Sequence, residues 1–395
     1  MTREASAFHF SVEPANARLR RLPYPYQGAL SVATDAEGFS PSFFHALMAW
    51  LNGRSRTPFG TGLGLEITGS LFFYDRTGAS MAYFDSATPG GRPGPQAALL
   101  EDYLRTGWID TNHAFGDFQG GGFGRAHALE AYGALARMGV SLPVFTNHGN
   151  ADNWQNVGID ADYHAGDRAG HPAYHSDLFP SAGTRFVWTD SLYLESASPV
   201  PLPLFVPSPL QDTLGNEASI LGFRRLRGTG RNAPNLSSLL AQLRLLPWNR
   251  LYKEQGTAIL YQHLGVLHKA QGILTPASIE AALARPDLLL APFRFLARER
   301  DEGRLWVVGL ARLLRYACAL SSVRLSGGQG VGVIELHDPP GNALSPEGLT
   351  LYIDPALPIR VIHRGKPLEF WHNGPDETGR YSITMASTSL PDIWS

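Results

Sequence analysis

Gly28-Ala29-Leu30-Ser31-Val32-Ala33-Thr34-Asp35-Ala36-Glu37-Gly38-Phe39-Ser40-Pro41 is the stretch on which the reading of this chain turns. Gly28–Thr34 is short and apolar on both faces, as a strand buried in a parallel sheet must be. Two acids and a glycine end it. Ser40-Pro41 then opens a helical pattern through Leu51, a capping side chain followed by proline at the first helical position. The stretch predicts a strand–loop–helix unit whose loop carries two carboxylates. Asp35 and Glu37 stand two residues apart on extended chain, so both can face one pocket. Carboxylates so placed repel, and one pKa rises unless a cation lies beside them. The plainer alternative is a polar turn closing a strand.

The same alternation continues outward from this unit. Further strands are predicted at Gly64–Tyr74, Gly107–Thr111, Leu142–Asn147, Thr184–Thr189, Thr257–His263 and Arg304–Val308. Helical patterns cover Pro95–Thr106, Arg125–Met138, Pro172–Ser181, Asn235–Leu245, Ala277–Leu283, Ala291–Arg300 and Leu310–Leu320. Strands each followed by a helix predict an α/β fold with a parallel barrel, closed or nearly so, with an open doubly wound sheet as the alternative. After Val323 the texture changes. Val331–Leu336, Leu349–Ile353, Ile359–His363 and Tyr381–Met385 predict a small C-terminal antiparallel β-sandwich. The proline-rich stretch from Ser196 to Asp212 is long enough to wall or cover a site.

Composition narrows the function classes. Hydrophobic residues make up 44% of the 395 and charged residues 17%, enough apolar surface to exclude a disordered chain. With 42 Gly and 29 Pro, the pair makes up about 18% of the chain against an ordinary share of about 12%, which predicts many turns and long loops. The net charge of -2 gives no basic excess for nucleic acid or an anionic membrane. Cys318 is the single cysteine and lies in an apolar run, so a buried, inert thiol is expected rather than a disulfide. The first residues lack a signal core, and nothing offers about 18 uninterrupted apolar residues. A cytoplasmic protein without membrane insertion is therefore expected.

In a parallel barrel, reactive groups gather where strands end. The third predicted strand runs into Asp110-Thr111-Asn112-His113-Ala114-Phe115-Gly116-Asp117, where His113 and Asp117 are metal-ligand types four residues apart. The fourth ends in Asn147-His148-Gly149-Asn150, followed by Trp154, dense in groups that hydrogen-bond sugar hydroxyls. Trp188 and Asp190 close the fifth, and His263 the sixth. Trp154, Tyr163 and Trp188 could stack on a sugar ring or simply pack. Of the 13 histidines, six fall between His113 and His175, so this half is expected to form the polar wall, His175 included.

The order and spacing of these segments resemble the polysaccharide deacetylase superfamily, over roughly residues 25–322. That resemblance implies a distorted (β/α)7 barrel, with residues 1–24 as an extension and 323–395 as a separate sandwich-like domain. It implies Asp35 as the base and Glu37 as a metal ligand in an Asp-x-Glu first motif. It implies a second motif at His113 and Asp117, with Asp117 where the family carries a second histidine, and His263 as the catalytic acid closing an apolar strand. The family's arginine–proline motif is missing at Thr146–Asn150, which leaves the orienting partner of the base open between His148 and Asn147. The implied cofactor is one divalent ion held by Glu37, His113 and Asp117, zinc first, with manganese, iron or cobalt as alternatives. The implied reaction is hydrolysis of an acyl group, N-acetyl above all, from a carbohydrate or sugar-containing small molecule. Asn147, His148, Asn150, Trp154, His175, Trp188 and Asp190 are the expected substrate contacts. Two other readings compete: a metal-free glycoside hydrolase pairing Asp35 or Glu37 with Asp190, and a sugar-binding protein without turnover.

Overall fold

A computed structural model of the chain describes residues 10–75, 81–149, 153–158, 164–193, 202–206, 210, 220–228, 233–271, 273–327, 332–339, 343–388 and 390, the side chains of 189–193 excepted. Strand β1 (Gly28–Thr34) is buried along its whole length. Helix α1 (Pro41–Asn52) follows, and the Ser40 hydroxyl accepts the Phe43 N–H as its cap. Phe43, Phe44, Leu47 and Trp50 on α1 are buried against the barrel, each contributing about 1.5–3 kcal/mol by burial.

The ring continues through β2 (Gly69–Leu71), α2 (Ala97–Thr106), β3 (Ile109–His113), α3 (Arg125–Met138), β4 (Val144–Thr146), β5 (Phe186–Tyr193), β6 (Leu221–Gly228), α4 (Leu239–Leu245) and β7 (Thr257–Gln262). Each strand pairs in parallel with the next, and β7 pairs with β1 from Thr257↔Ala29 to Gln262↔Thr34. The result is a closed, seven-stranded parallel barrel surrounded by helices.

Six predicted strands enter this ring and the last does not take the place expected of it. The segment Arg304–Val308 forms β10 (Leu305–Val307), between α5 (Leu290–Asp301) and α6 (Leu310–Ser322), but pairs only with the first half of β1, Gly28 to Leu30. On that same edge of β1, β2 pairs at Thr34 alone, so the barrel is uneven there. The seventh ring strand is β6, which the apolar pattern does not reveal because it carries Arg224, Arg225 and Arg227. Between β7 and α5, a hairpin of β8 (Val266–Ala270) and β9 (Ile273–Pro276) stands beside the barrel mouth. The helix expected over Pro172–Ser181 is reduced to single turns at Ser176–Leu178 and Phe179–Ala182.

The C-terminal part is two four-stranded sheets. One holds β11 (Arg324–Gly327), β12 (Val333–His337), β14 (Arg360–His363) and β15 (Lys366–Pro367), the other β13 (Thr350–Tyr352), β16 (Phe370–Asn373) and β17 (Ser382–Met385). The first is not wholly antiparallel, since β12 and β14 run in parallel. Leu19–Arg20, from the expected N-terminal extension, completes the second by pairing with β13. Ile334, Leu336, Leu351, Val361 and Ile383 belong to the same apolar core as the barrel, so the sheets pack onto it. Among the described residues, no helix is long and apolar enough to cross a membrane.

Candidate functional site

The C-terminal ends of β1, β3, β4, β6 and β7 converge on one cavity of about 460 Å³, lined by Glu37, His113, His148, Trp188, Tyr261 and His263 among others. The turn after β1 is held against the turn after β7. Gly38 has φ +73, and a Cβ there would meet the Gly265 carbonyl oxygen at 2.7 Å and Val266 Cγ2 at 2.8 Å. Only glycine fits this left-handed position without strain. The close approach sets Asp35 and Glu37 beside His263.

Asp35 is buried, and Arg225 grips it: Nη1 donates to Oδ1 at 2.8 Å and Nη2 to Oδ2 at 3.3 Å. The guanidinium carbon lies 4.0 Å from the Trp188 ring centroid and 4.1 Å from that of Tyr261. Two aromatic faces and a bidentate fork fix the plane of the Arg225 side chain, a role that lysine could not fill. The orienting partner of Asp35 is thus neither His148 nor Asn147. Asn147 instead exchanges two hydrogen bonds with the backbone of Val157, at 2.9 and 3.0 Å, which hold its own loop at the cavity edge.

Around Glu37 lies a compact set of donors. Glu37 Oε1 is 3.4 Å from His113 Nε2 and 3.1 Å from His148 Nδ1, and the two imidazole nitrogens are 3.2 Å apart. Three ligands about 2.0–2.2 Å from one tetrahedral ion would be separated by about 3.3–3.6 Å, close to the sides of this triangle, which could hold a metal ion. The far nitrogens agree with that use. His113 Nδ1 is 2.8 Å from Thr146 Oγ1, and His148 Nε2 is 3.4 Å from Asp117 Oδ1. Each imidazole is thereby oriented by an oxygen behind it, as metal-binding histidines ordinarily are. Glu37 Oε2 is buried and has no hydrogen-bond partner among the described residues, a cost that an ion would remove.

His148, expected at the sugar wall, therefore stands in the donor triangle, and Asp117, expected as the third ligand, stands behind it. The Asp117 carboxylate contacts the opposite nitrogen of the His148 ring and is fixed by the Gln119 N–H at 3.1 Å. A second donor group, Asp35, Glu37 and His263, shares Glu37 with the first. Arg225 occupies both Asp35 oxygens, so a cation already serves that group.

His263 Nε2 is 3.5 Å from Glu37 Oε1, and its Nδ1 is 2.7 Å from the Pro234 carbonyl, to which it must donate. Burial lowers the His263 pKa, but Glu37, then Asp35 and the Pro234 carbonyl, more than reverse this and leave it raised. Burial likewise opposes charge on His148, yet its hydrogen bonds to the Asp117 and Glu37 carboxylates push it up to about 10. Burial would raise the Glu37 carboxyl, and His263, His113 and His148 instead hold it well below the usual carboxylate range. The hydrogen bond from His148 lowers Asp117 in the same way.

The remaining expected contacts divide. Trp188 lines the cavity beside Tyr261. Trp154 is 41% exposed, edge-on to His171, and is not part of the lining. His175 is a core residue: it is wholly buried among Phe115, Phe123, Phe145 and Phe179, with Nδ1 2.9 Å from the Ala173 carbonyl. Asn150 and Tyr163 lie outside the described residues, as does the side chain of Asp190 on β5. Arg225 is the functional residue that the sequence reading misses; its signal was the arginine pair at 224–225 after the proline-rich stretch. Comparison with family models, curated proteins and solved structures found no match to this chain.

Proposed function

We propose that this chain is a metal-dependent hydrolase that removes an acyl group, N-acetyl above all, from a carbohydrate or sugar-containing precursor. One observation carries the reading: the Glu37–His113–His148 triangle lies beside Asp35, an acid aimed by Arg225, with His113 Nε2 only 3.7 Å from Asp35 Oδ2. Two imidazoles and one carboxylate form a donor set used by hydrolytic zinc, so zinc is the ion proposed, with manganese, iron or cobalt as alternatives. Bound there, the ion would supply Lewis acidity toward the acyl carbonyl and lower the pKa of water.

The chain's own groups supply the rest. Asp35 takes the proton of the attacking water on a carboxylate oxygen, and Arg225 keeps that oxygen in place. His263 gives its Nδ1–H to the Pro234 carbonyl, so Nε2 is the nitrogen that delivers a proton to the departing amine or alkoxide. Trp188 and Tyr261 offer aromatic faces to the sugar.

A glycoside hydrolase would need one member of its acid pair protonated. Glu37, surrounded by imidazoles, is held in the charged form instead.

Acetate release from a panel of N-acetylated amino sugars tests the proposal. Wild type should release acetate only with a divalent ion present, and Asp35→Asn should reduce turnover by about 10²-fold or more. A metal-loaded wild type that releases no acyl group from any of them would overturn it.

A further inference from the structure

A cavity larger than the one at the barrel mouth, about 720 Å³, lies at the other end of the barrel, between the strand starts and the second C-terminal sheet. Tyr26 comes just before β1 and Glu66 just before β2, and both line it. The facing wall is β16, where Trp371 and Asn373 stand two residues apart and so share one side of the sheet.

Trp371 is 67% exposed, and no aromatic ring stacks on it among the described residues. A tryptophan is seldom left so open, because its large apolar face goes unburied. The groups around that face are hydrogen-bonding ones. Asn373 gives its N–H groups to Ser382 Oγ at 3.0 Å and Thr384 Oγ1 at 2.8 Å, which leaves its carbonyl oxygen to accept. The half-buried Tyr26 hydroxyl has no partner among the described residues. Three arginines line the cavity: Arg312 pairs with Glu66 at 2.8 Å, Arg300 pairs with Asp301 at 2.5 Å, and Arg54 is exposed. A flat apolar face, free acceptors and donors, and pairing of both Arg312 and Arg300 suit an uncharged polyhydroxylated ring better than an anion or an apolar peptide.

We propose that this crevice is a second, non-catalytic carbohydrate-binding site, in which Trp371 stacks on a neutral sugar ring and Asn373, Tyr26 and the Arg312–Glu66 pair bond its hydroxyls. Its size is within the range of about 300–1,000 Å³ usual for small-ligand sites. The site lies away from Asp35 and Glu37 and does not depend on the activity proposed for them.

Calorimetric titration of the full chain with β-1,4-linked hexamers of N-acetylglucosamine, glucose and xylose tests it. At least one hexamer should bind, with Trp371→Ala weakening it tenfold or more and Tyr26→Phe weakening it by less. Trp154→Ala, which alters another exposed tryptophan, should leave that binding unchanged. Thermal melting of each variant at the wild-type temperature confirms that the fold is intact, and Tyr26→Phe removes a single hydroxyl if Trp371→Ala melts early. Wild-type affinity in both Trp371→Ala and Tyr26→Phe, or the absence of any hexamer binding that these substitutions reduce, would overturn the proposal.

Discussion

Arg225 Nη1 stands 2.8 Å from Asp35 Oδ1, joining the sixth barrel strand to the first across 190 residues of chain. Both side chains are almost wholly buried, at 0% and 2% exposed. Desolvation cancels much of the attraction in such a pair, so its worth lies in orientation more than in stability. Among the described residues, no other charged side chain lies within hydrogen-bonding distance of this acid.

Breaking the pair from one side strands a buried charge. Arg225→Met should destabilise the protein by about 3–5 kcal/mol, and the double variant Asp35→Asn/Arg225→Met should recover most of that loss. Urea unfolding of the two single variants and the double checks this. A single variant as stable as wild type would mean that the pair is not buried together.

The oxygens behind the two imidazoles act through them. Thr146→Val and Asp117→Asn should each weaken divalent-ion affinity by about 10–100-fold without abolishing binding. Competition with a chelator of known affinity measures the change, and affinities equal to wild type would detach these oxygens from the site.

Much of this arrangement is legible in the sequence, and the losses have physical causes. Strand Gly28–Thr34 and helix Arg125–Met138 are found at their observed bounds because burial leaves an apolar signature. The expectation that Asp35 and Glu37 face one side is met, since His113 Nε2 lies 3.7 Å from one and 3.4 Å from the other. Strand β6 hides because its inward side carries Arg225, and a charged inward side erases the apolar alternation by which strands are recognised. The exchange of Asp117 for His148 is hidden for another reason. Spacing along a chain does not report which side of an imidazole a carboxylate reaches. His175 looks functional beside other polar residues, yet its neighbours in space are phenylalanines.

Gly38 is the hinge of the turn that brings β1 and β7 together. Gly38→Ala combines a left-handed φ of +73 with a Cβ 2.7 Å from a carbonyl oxygen, and should cost about 1–3 kcal/mol. Because the displaced turn carries Glu37, ion affinity should fall with stability. Unfolding curves and ion titration read the two effects, and a variant unchanged in both would show the turn to be unconstrained.

Burial pushes the His175 imidazole down to about 4, well below its unfolded value of about 6.5. The unfolded chain then takes up a proton that the folded one refuses, so stability falls as pH drops below about 6.5 and the loss is complete below about 4. The full loss from this residue is about 3 kcal/mol, and above pH 7 it vanishes. Denaturant titrations at several pH values should show a shallower acid slope in His175→Gln than in wild type. Equal slopes would remove His175 as the cause.

Zinc binding measured by equilibrium dialysis and elemental analysis on wild type, His148→Ala and Asp117→Ala separates the observed donor triangle from the set expected along the sequence. One ion per chain in wild type, one in Asp117→Ala at saturating zinc, and none in His148→Ala at the same concentration is the predicted result. An ion kept at wild-type affinity by His148→Ala, or lost only in Asp117→Ala, would contradict a centre built from Glu37, His113 and His148.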